Sequence, residues 1–151
     1  MLRLAPQAAR RAAELAAHRE AAAQYRRALR FAADAGLRDR AALYDGLAME
    51  LSLVDGWQDA ADAGERALAL WREAGDRLRE GDTLRRLSRT MWRLCRGKES
   101  AAAAQGALDV LEPLGPSIEL ARAYANLASQ RMLDGDKRRG GQPRRPRGVG
   151  R

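Results

Sequence analysis

The feature that most constrains this chain is a self-similarity that recurs roughly every 40 residues. Between Ala42 and Trp71, Tyr44, Leu47, Ala48 and Leu51 form the i, i+3, i+4, i+7 stripe of an amphipathic helix. Asp55-Gly56 is read as its stop, because glycine tolerates a left-handed residue at a helix end. A second helix follows, with Ala60, Gly64, Ala67, Leu68 and Trp71 on one side. Moving forward by one period turns the first stripe into Leu84, Leu87, Ser88 and Met91, and then into Tyr124, Leu127, Ala128 and Arg131. The second stripe becomes Ser100, Ala104, Ala107 and Leu108, and backwards it becomes Ala21, Tyr25, Ala28 and Leu29. One such pair cannot bury its apolar face alone, so recurring pairs predict a stack: an all-α solenoid.

The pattern resembles the tetratricopeptide repeat. That family carries a large apolar residue, a leucine and a small residue in its first helix. Its second helix has the spacing seen in Ala21/Tyr25/Ala28, Ala60/Gly64/Ala67 and Ser100/Ala104/Ala107. The period here is longer than that family's, and only Pro113 stands where its closing proline is expected. A narrower resemblance covers most of the chain up to Asp134. Leu4 to Ala13, Ala17 to Tyr25, Leu70-Trp71-Arg72, Gly75 to Arg85 and Leu111-Glu112-Pro113-Leu114 are similar to the region after the ATPase module in large ATP-binding LuxR-family transcriptional regulators. Those regulators combine a nucleotide-binding domain, a helical-repeat sensor arm and a C-terminal DNA-binding helix-turn-helix. Only the arm is covered here. The resemblance therefore implies a regulator fragment that lacks the ATPase and DNA-binding ends and acts in the cytoplasm as a non-enzymatic protein-interaction module.

In chain order, the expectation is a tetratricopeptide-like domain over 1–136 with repeats near 5–36, 38–75, 77–113 and a partial one at 117–134. The first repeat is read as two helices, 6–17 and 18–35. Three antiparallel pairs and an unpaired seventh helix result. Asp76 and Ser117 are expected N-caps. After Asp134-Gly135-Asp136 the repeat pattern fails, and residues 137–151 are expected to form a disordered Arg/Gly/Pro-rich tail.

The net charge of +8 divides unevenly. Seven of the 28 basic residues lie in 137–151 without an acid, leaving 21 basic against 20 acidic residues in 1–136. The body is nearly neutral. The tail admits three readings: a segment binding polyanions such as nucleic acid through phosphate contacts, a solubilising end, or out-of-frame translation. It holds no aromatic residue for stacking on bases, and the abrupt switch in mid-repeat favours the third reading.

The sequence offers no catalytic or cofactor constellation. His18 is the single histidine, which removes histidine-based metal clusters and Ser-His pairs; beside Arg19 it reads as a partly exposed structural residue. One cysteine, Cys95, rules out an intramolecular disulfide and suits a reducing compartment. Gly97-Lys98 lacks the remaining residues of a phosphate loop, with Trp92 and Glu99 at the positions that matter. No uncharged apolar run is long enough to span a bilayer, so no membrane contact is expected.

What remains is a surface. Arg85, Arg89, Trp92 and Arg93 fall at i, i+4, i+7 and i+8, offset from the Leu84/Leu87/Met91 stripe. Arg and Trp are the residue types enriched where binding energy concentrates. The plainer alternative is a solvated basic face with one half-exposed indole. In the tetratricopeptide arrangement the first helix of each pair lines a concave groove. Asp45, Met49 and Ser52 on one side and Ala125, Ser129 and Met132 on the other would then flank these four residues. The expected partner is a protein or peptide with an acidic segment and apolar anchors. Weak self-association is also expected through the C-terminal helix, where Tyr124, Leu127 and Ala128 lack a cover.

Overall fold

A computed structural model describes residues 4–140, with side-chain environments from 10 to 135. The cadence of its helices follows from the turn chemistry. Helices α2 (Leu37–Leu53), α3 (Trp57–Glu73), α4 (Arg77–Arg93) and α5 (Gly97–Leu111) begin at evenly spaced positions along the chain. Each of the first three ends the same way: the amide of Gly56, Asp76 or Arg96 donates to the carbonyl of Leu51, Trp71 or Met91, at 2.9, 3.0 and 2.9 Å. That bond needs a left-handed residue just before the donor. Asp55 (φ 59°), Gly75 (φ 68°) and Cys95 (φ 59°) supply it. Gly56 is therefore not itself the left-handed stop; Asp55 of the expected Asp55-Gly56 pair is, and no glycine plays that part after α4. Gly56 has φ −79° and Gly97 opens α5.

The first helix differs more. α1 runs unbroken from Leu4 to Arg30, so residues 5–36 do not form a helical pair. No glycine lies between residues 4 and 30 and the only proline there, Pro6, sits in the first turn, where it is tolerated. An Ala/Arg/Glu-rich run with no breaker has every reason to continue as helix. The chain's described part therefore holds six α-helices, not seven. α1 packs on α2, and each later helix packs on the one before it, with α4 also touching α6 (Ile118–Gly140). A turn of 3-10 helix, Glu112–Leu114, leads into α6, whose start is capped by Ser117 Oγ accepting from the Leu120 amide at 3.1 Å. Asp76 caps α4 likewise, accepting from the Arg79 amide at 3.2 Å. α6 continues as helix through Gly140, past the expected boundary at 136, and residues 141–151 of the expected tail lie outside the described residues.

Small residues set the helix spacing. Ala41, Ala67, Leu70 and Trp71 form the α2–α3 core, while Ala22 of α1 joins Leu47, Leu51, Ala60 and Ala63. Ala61 and Leu68 face the other way, into a cluster with Leu84, Leu87, Met91, Leu108 and Leu111 of α4 and α5 and Ala123 of α6. Gly64 has no room for a side chain, since a Cβ there would lie 2.8 Å from Leu87 Cδ2.

Polar links also recur, at one constant separation along the sequence. Arg38 donates to Asp76 at 2.8 Å, Thr83 to Asp45 at 3.1 Å, and Asn126 to Ser88 at 3.2 Å. The last belongs to a buried knot in which Gln130 of α6 also donates to Ser88 and to Ser100 of α5, and Ser100 donates to the Ser88 carbonyl. His18 Nδ1 lies 2.6 Å from Glu50 Oε2 and ties α1 to α2, in keeping with a structural histidine.

Candidate functional site

Two features of α4 build the principal groove. Its buried stripe turns Leu84 and Leu87 toward α3 and α5, which leaves the offset stripe of Arg85, Arg89, Trp92 and Arg93 facing open space. α2 and α6 flank it, so a cavity of about 1030 Å³ opens between them, lined on one side by Met49, Ser52 and Leu53 and on the other by Ala125, Ser129 and Leu133. All four residues expected at the site line this one groove, and so do five of the six expected flanking residues. Met132 is the exception: it points outward, 75% exposed, and Leu133 takes its place.

Sequence reasoning missed several contributors. Arg11 and Leu15 reach the groove from α1 because that helix does not fold back after residue 17. Arg122 enters from α6. Trp57 lines the wall, and the Arg93 guanidinium sits 4.9 Å from its ring centroid in cation–π geometry. Positive charge thus extends to both flanks and is not confined to the middle.

The floor is tied together by two carboxylates. Asp45 is buried, accepting from Trp71 Nε1 at 2.8 Å and from Thr83 Oγ1 at 3.1 Å, with Arg86 Nη2 3.0 Å away. Asp82 accepts from Arg85 Nε at 2.9 Å and lies 3.5 Å from Arg86 Nε. That contact does not satisfy the buried Nε–H, which has no hydrogen bond among the described residues. One carboxylate therefore joins α2, α3 and α4, and a second holds two arginines of α4 in place.

The arginines therefore divide into two sets. Arg85 and Arg86 are engaged by Asp82 and Asp45, and Arg93 is stacked on Trp57. Arg11, Arg89 and Arg122 are exposed and form no ion pair with any described residue. Among the described residues the lining sets six arginines against two aspartates, Asp45 and Asp55.

Other chemistry is sparse among the described residues. No group of three His, Cys, Asp or Glu side chains is placed to hold a metal, and no helix is long and apolar enough to cross a membrane. Cys95 is an exposed free thiol in the turn after α4. Away from the groove, Tyr124 donates its hydroxyl to Glu112 Oε1 at 2.6 Å, which holds the phenol above its ordinary pKa. Arg96 holds the Glu99 carboxyl below its usual range by hydrogen bonding. Compared with protein-family models and with curated proteins, the chain matches none.

Proposed function

We propose that this protein is a tetratricopeptide-like, non-enzymatic interaction module whose groove binds an acidic protein segment carrying apolar anchors. The evenly spaced helix starts, the common helix ends and the recurring polar links support a stack of equivalent units. One observation carries the binding assignment: three arginines with no ion pair among the described residues, Arg11, Arg89 and Arg122, open onto the same groove as two tryptophans. An unpaired guanidinium in a concave, partly apolar site attracts a carboxylate and holds it in bidentate geometry. Met49, Leu53 and Leu133, each about half exposed, offer the apolar contacts beside it. The resemblance seen in the sequence extends this reading to the sensor arm of a LuxR-family ATPase regulator, working in the cytoplasm.

The test is a fluorescence titration with two synthetic peptides of equal length. One is rich in Glu with a Leu every third or fourth position; the other has Lys in place of Glu. The acidic peptide binds, and more weakly as salt is raised. Arg89→Ala costs ~2 kcal/mol, about thirtyfold in affinity, whereas Arg26→Ala, outside the groove and paired with Asp59, costs far less. Equal binding of the two peptides, or equal loss in the two variants, overturns the assignment.

A further inference from the structure

The repeat register exposes two faces that are elsewhere covered within the chain. On α6, Ala121, Tyr124, Ala128 and Arg131 occupy the positions held by Ala41, Tyr44, Ala48 and Leu51 on α2. Ala41 and Leu51 are buried, Ala41 against Trp71 and Leu51 against Ala60 of the following helix, α3. The α6 counterparts are all exposed, Tyr124 by 48% even with its hydroxyl tied to Glu112. α6 is thus a first helix with a bare second-helix face.

The opposite defect lies on α1. Shifting α3 back by one repeat places Ala61 and Leu68, which face the next helix, onto Ala22 and Leu29; these do pack on α2. It places Ala60, Ala67 and Leu70, which face the helix before, onto Ala21, Ala28 and Phe31. Leu70 is buried in that position, but Phe31 is 84% exposed. α1 continues straight where a preceding helix would have turned back and covered it. It is a second helix with a bare first-helix face.

These two bare faces are counterparts. We infer that one copy of the chain docks its α1 against α6 of the next copy, restoring between molecules the helix pair that α2 and α3 make within one. The internal register fixes the contacts. Tyr44 packs with Ala67 and Leu70 inside the chain, so Tyr124 meets Ala28 and Phe31 of the neighbouring copy. Leu51 packs with Ala60, so Arg131 falls beside Ala21 and next to Glu20, an opposite charge. The two surfaces are different, so the contact is head-to-tail and leaves one face of each kind open at the ends of the chain of copies. The inference rests on the repeat reading given above but not on the groove or its ligand.

The experiment uses sedimentation velocity of the full chain over a wide concentration range, with Ala28→Glu and Ala128→Glu, both at exposed positions, and circular dichroism to verify helicity. The wild type shows dimers growing to larger species as concentration rises. Each variant alone is monomeric. An equimolar mixture of the two forms a species that stops at the dimer, because each variant retains the face the other lacks. Phe31→Ser repeats the α1 test by removing the apolar contact without adding charge, and Arg89→Ala leaves association unchanged. A wild type that stays monomeric throughout overturns the inference. So does undiminished association of Ala28→Glu, which would mean that α6 pairs with itself.

Discussion

Replacing Gly81 by alanine tests whether the helix spacing is set by the absence of a side chain. Alanine is ordinarily the better helix former by about 1 kcal/mol, so at an open position the change stabilises. At Gly81, on the side of α4 that meets α5, a Cβ would lie 2.3 Å from Leu111 Cγ, 2.5 Å from Cδ2 and 2.9 Å from Cδ1. Carbon atoms rest at about 3.5–4.0 Å, so either Leu111 or the whole of α5 must retreat by more than an ångström. Leu111 cannot swing aside: it is fully buried, in the cluster with Leu84, Leu87 and Leu108. Overpacking of this kind costs about 1–3 kcal/mol, and the complete confinement of Leu111 favours the upper end. After the propensity gain, Gly81→Ala should lose about 1–2 kcal/mol.

Gly106 on α5 is the control. There a Cβ would meet Leu84 Cδ1 at 3.6 Å, an ordinary contact, so Gly106→Ala should gain about 1 kcal/mol. Urea denaturation followed by circular dichroism compares both with the parent. The two alanines should move the midpoint in opposite directions. Leu111→Ala alone removes a buried side chain and costs about 2–5 kcal/mol, but it also vacates the space the new Cβ needs. The double variant should therefore be more stable than the two losses added together, by about 0.5–3 kcal/mol. A Gly81→Ala protein as stable as Gly106→Ala would refute the claim that close approach of α4 and α5 is what excludes a side chain.

Two further outcomes follow from side-chain and backbone geometry. Asp45→Ala strips the partner from Trp71 Nε1, Thr83 Oγ1 and Arg86 at once and should cost about 3–5 kcal/mol in urea denaturation; a loss under ~1 kcal/mol would show that the buried carboxylate is not the tie between α2, α3 and α4. Cys95→Gly should raise the thermal midpoint, because a non-glycine residue held at φ 59° costs roughly 1–2 kcal/mol, only part of which is given back to the freer unfolded chain; a lowered midpoint would contradict the left-handed turn there.

Some elements could be read from residues alone because their signals are local and repeated. α2 through α5 each carry an apolar stripe at helical spacing, and the recurrence from Tyr44 to Leu84 sets their register without any knowledge of contacts. The four α4 residues share a face for the same reason. Reading failed where the outcome depended on neighbours. Glycine is the usual left-handed residue, but at Asp55 and Cys95 the amide of the next residue bonds back to Leu51 or Met91, which forces the residue before it into that region. The split of α1 was inferred by extending the repeat upstream over a run whose own composition has nothing to end a helix. The burial of Asp45 could not be read either, since it depends on Trp71 and Arg86 arriving from two other helices.

The burial and pairing of that aspartate change what the groove's charge means. Counted from sequence, α4 offers a strip of interchangeable arginines. In the fold, Asp45 and Asp82 consume the charges of Arg85 and Arg86, and those pairs hold the wall and floor in position. A ligand carboxylate approaching Arg85 would have to compete with Asp82, already at 2.8 Å from Nη2, and exchange of one buried ion pair for another yields little. Arg89 and Arg122 have no such competitor among the described residues. On the proposed reading, stability and recognition fall to different arginines within one lining. The residues one turn apart on α4, Arg85 and Arg89, share a face and a side-chain type, yet Asp82 makes the first part of the scaffold, while the second pairs with no described residue.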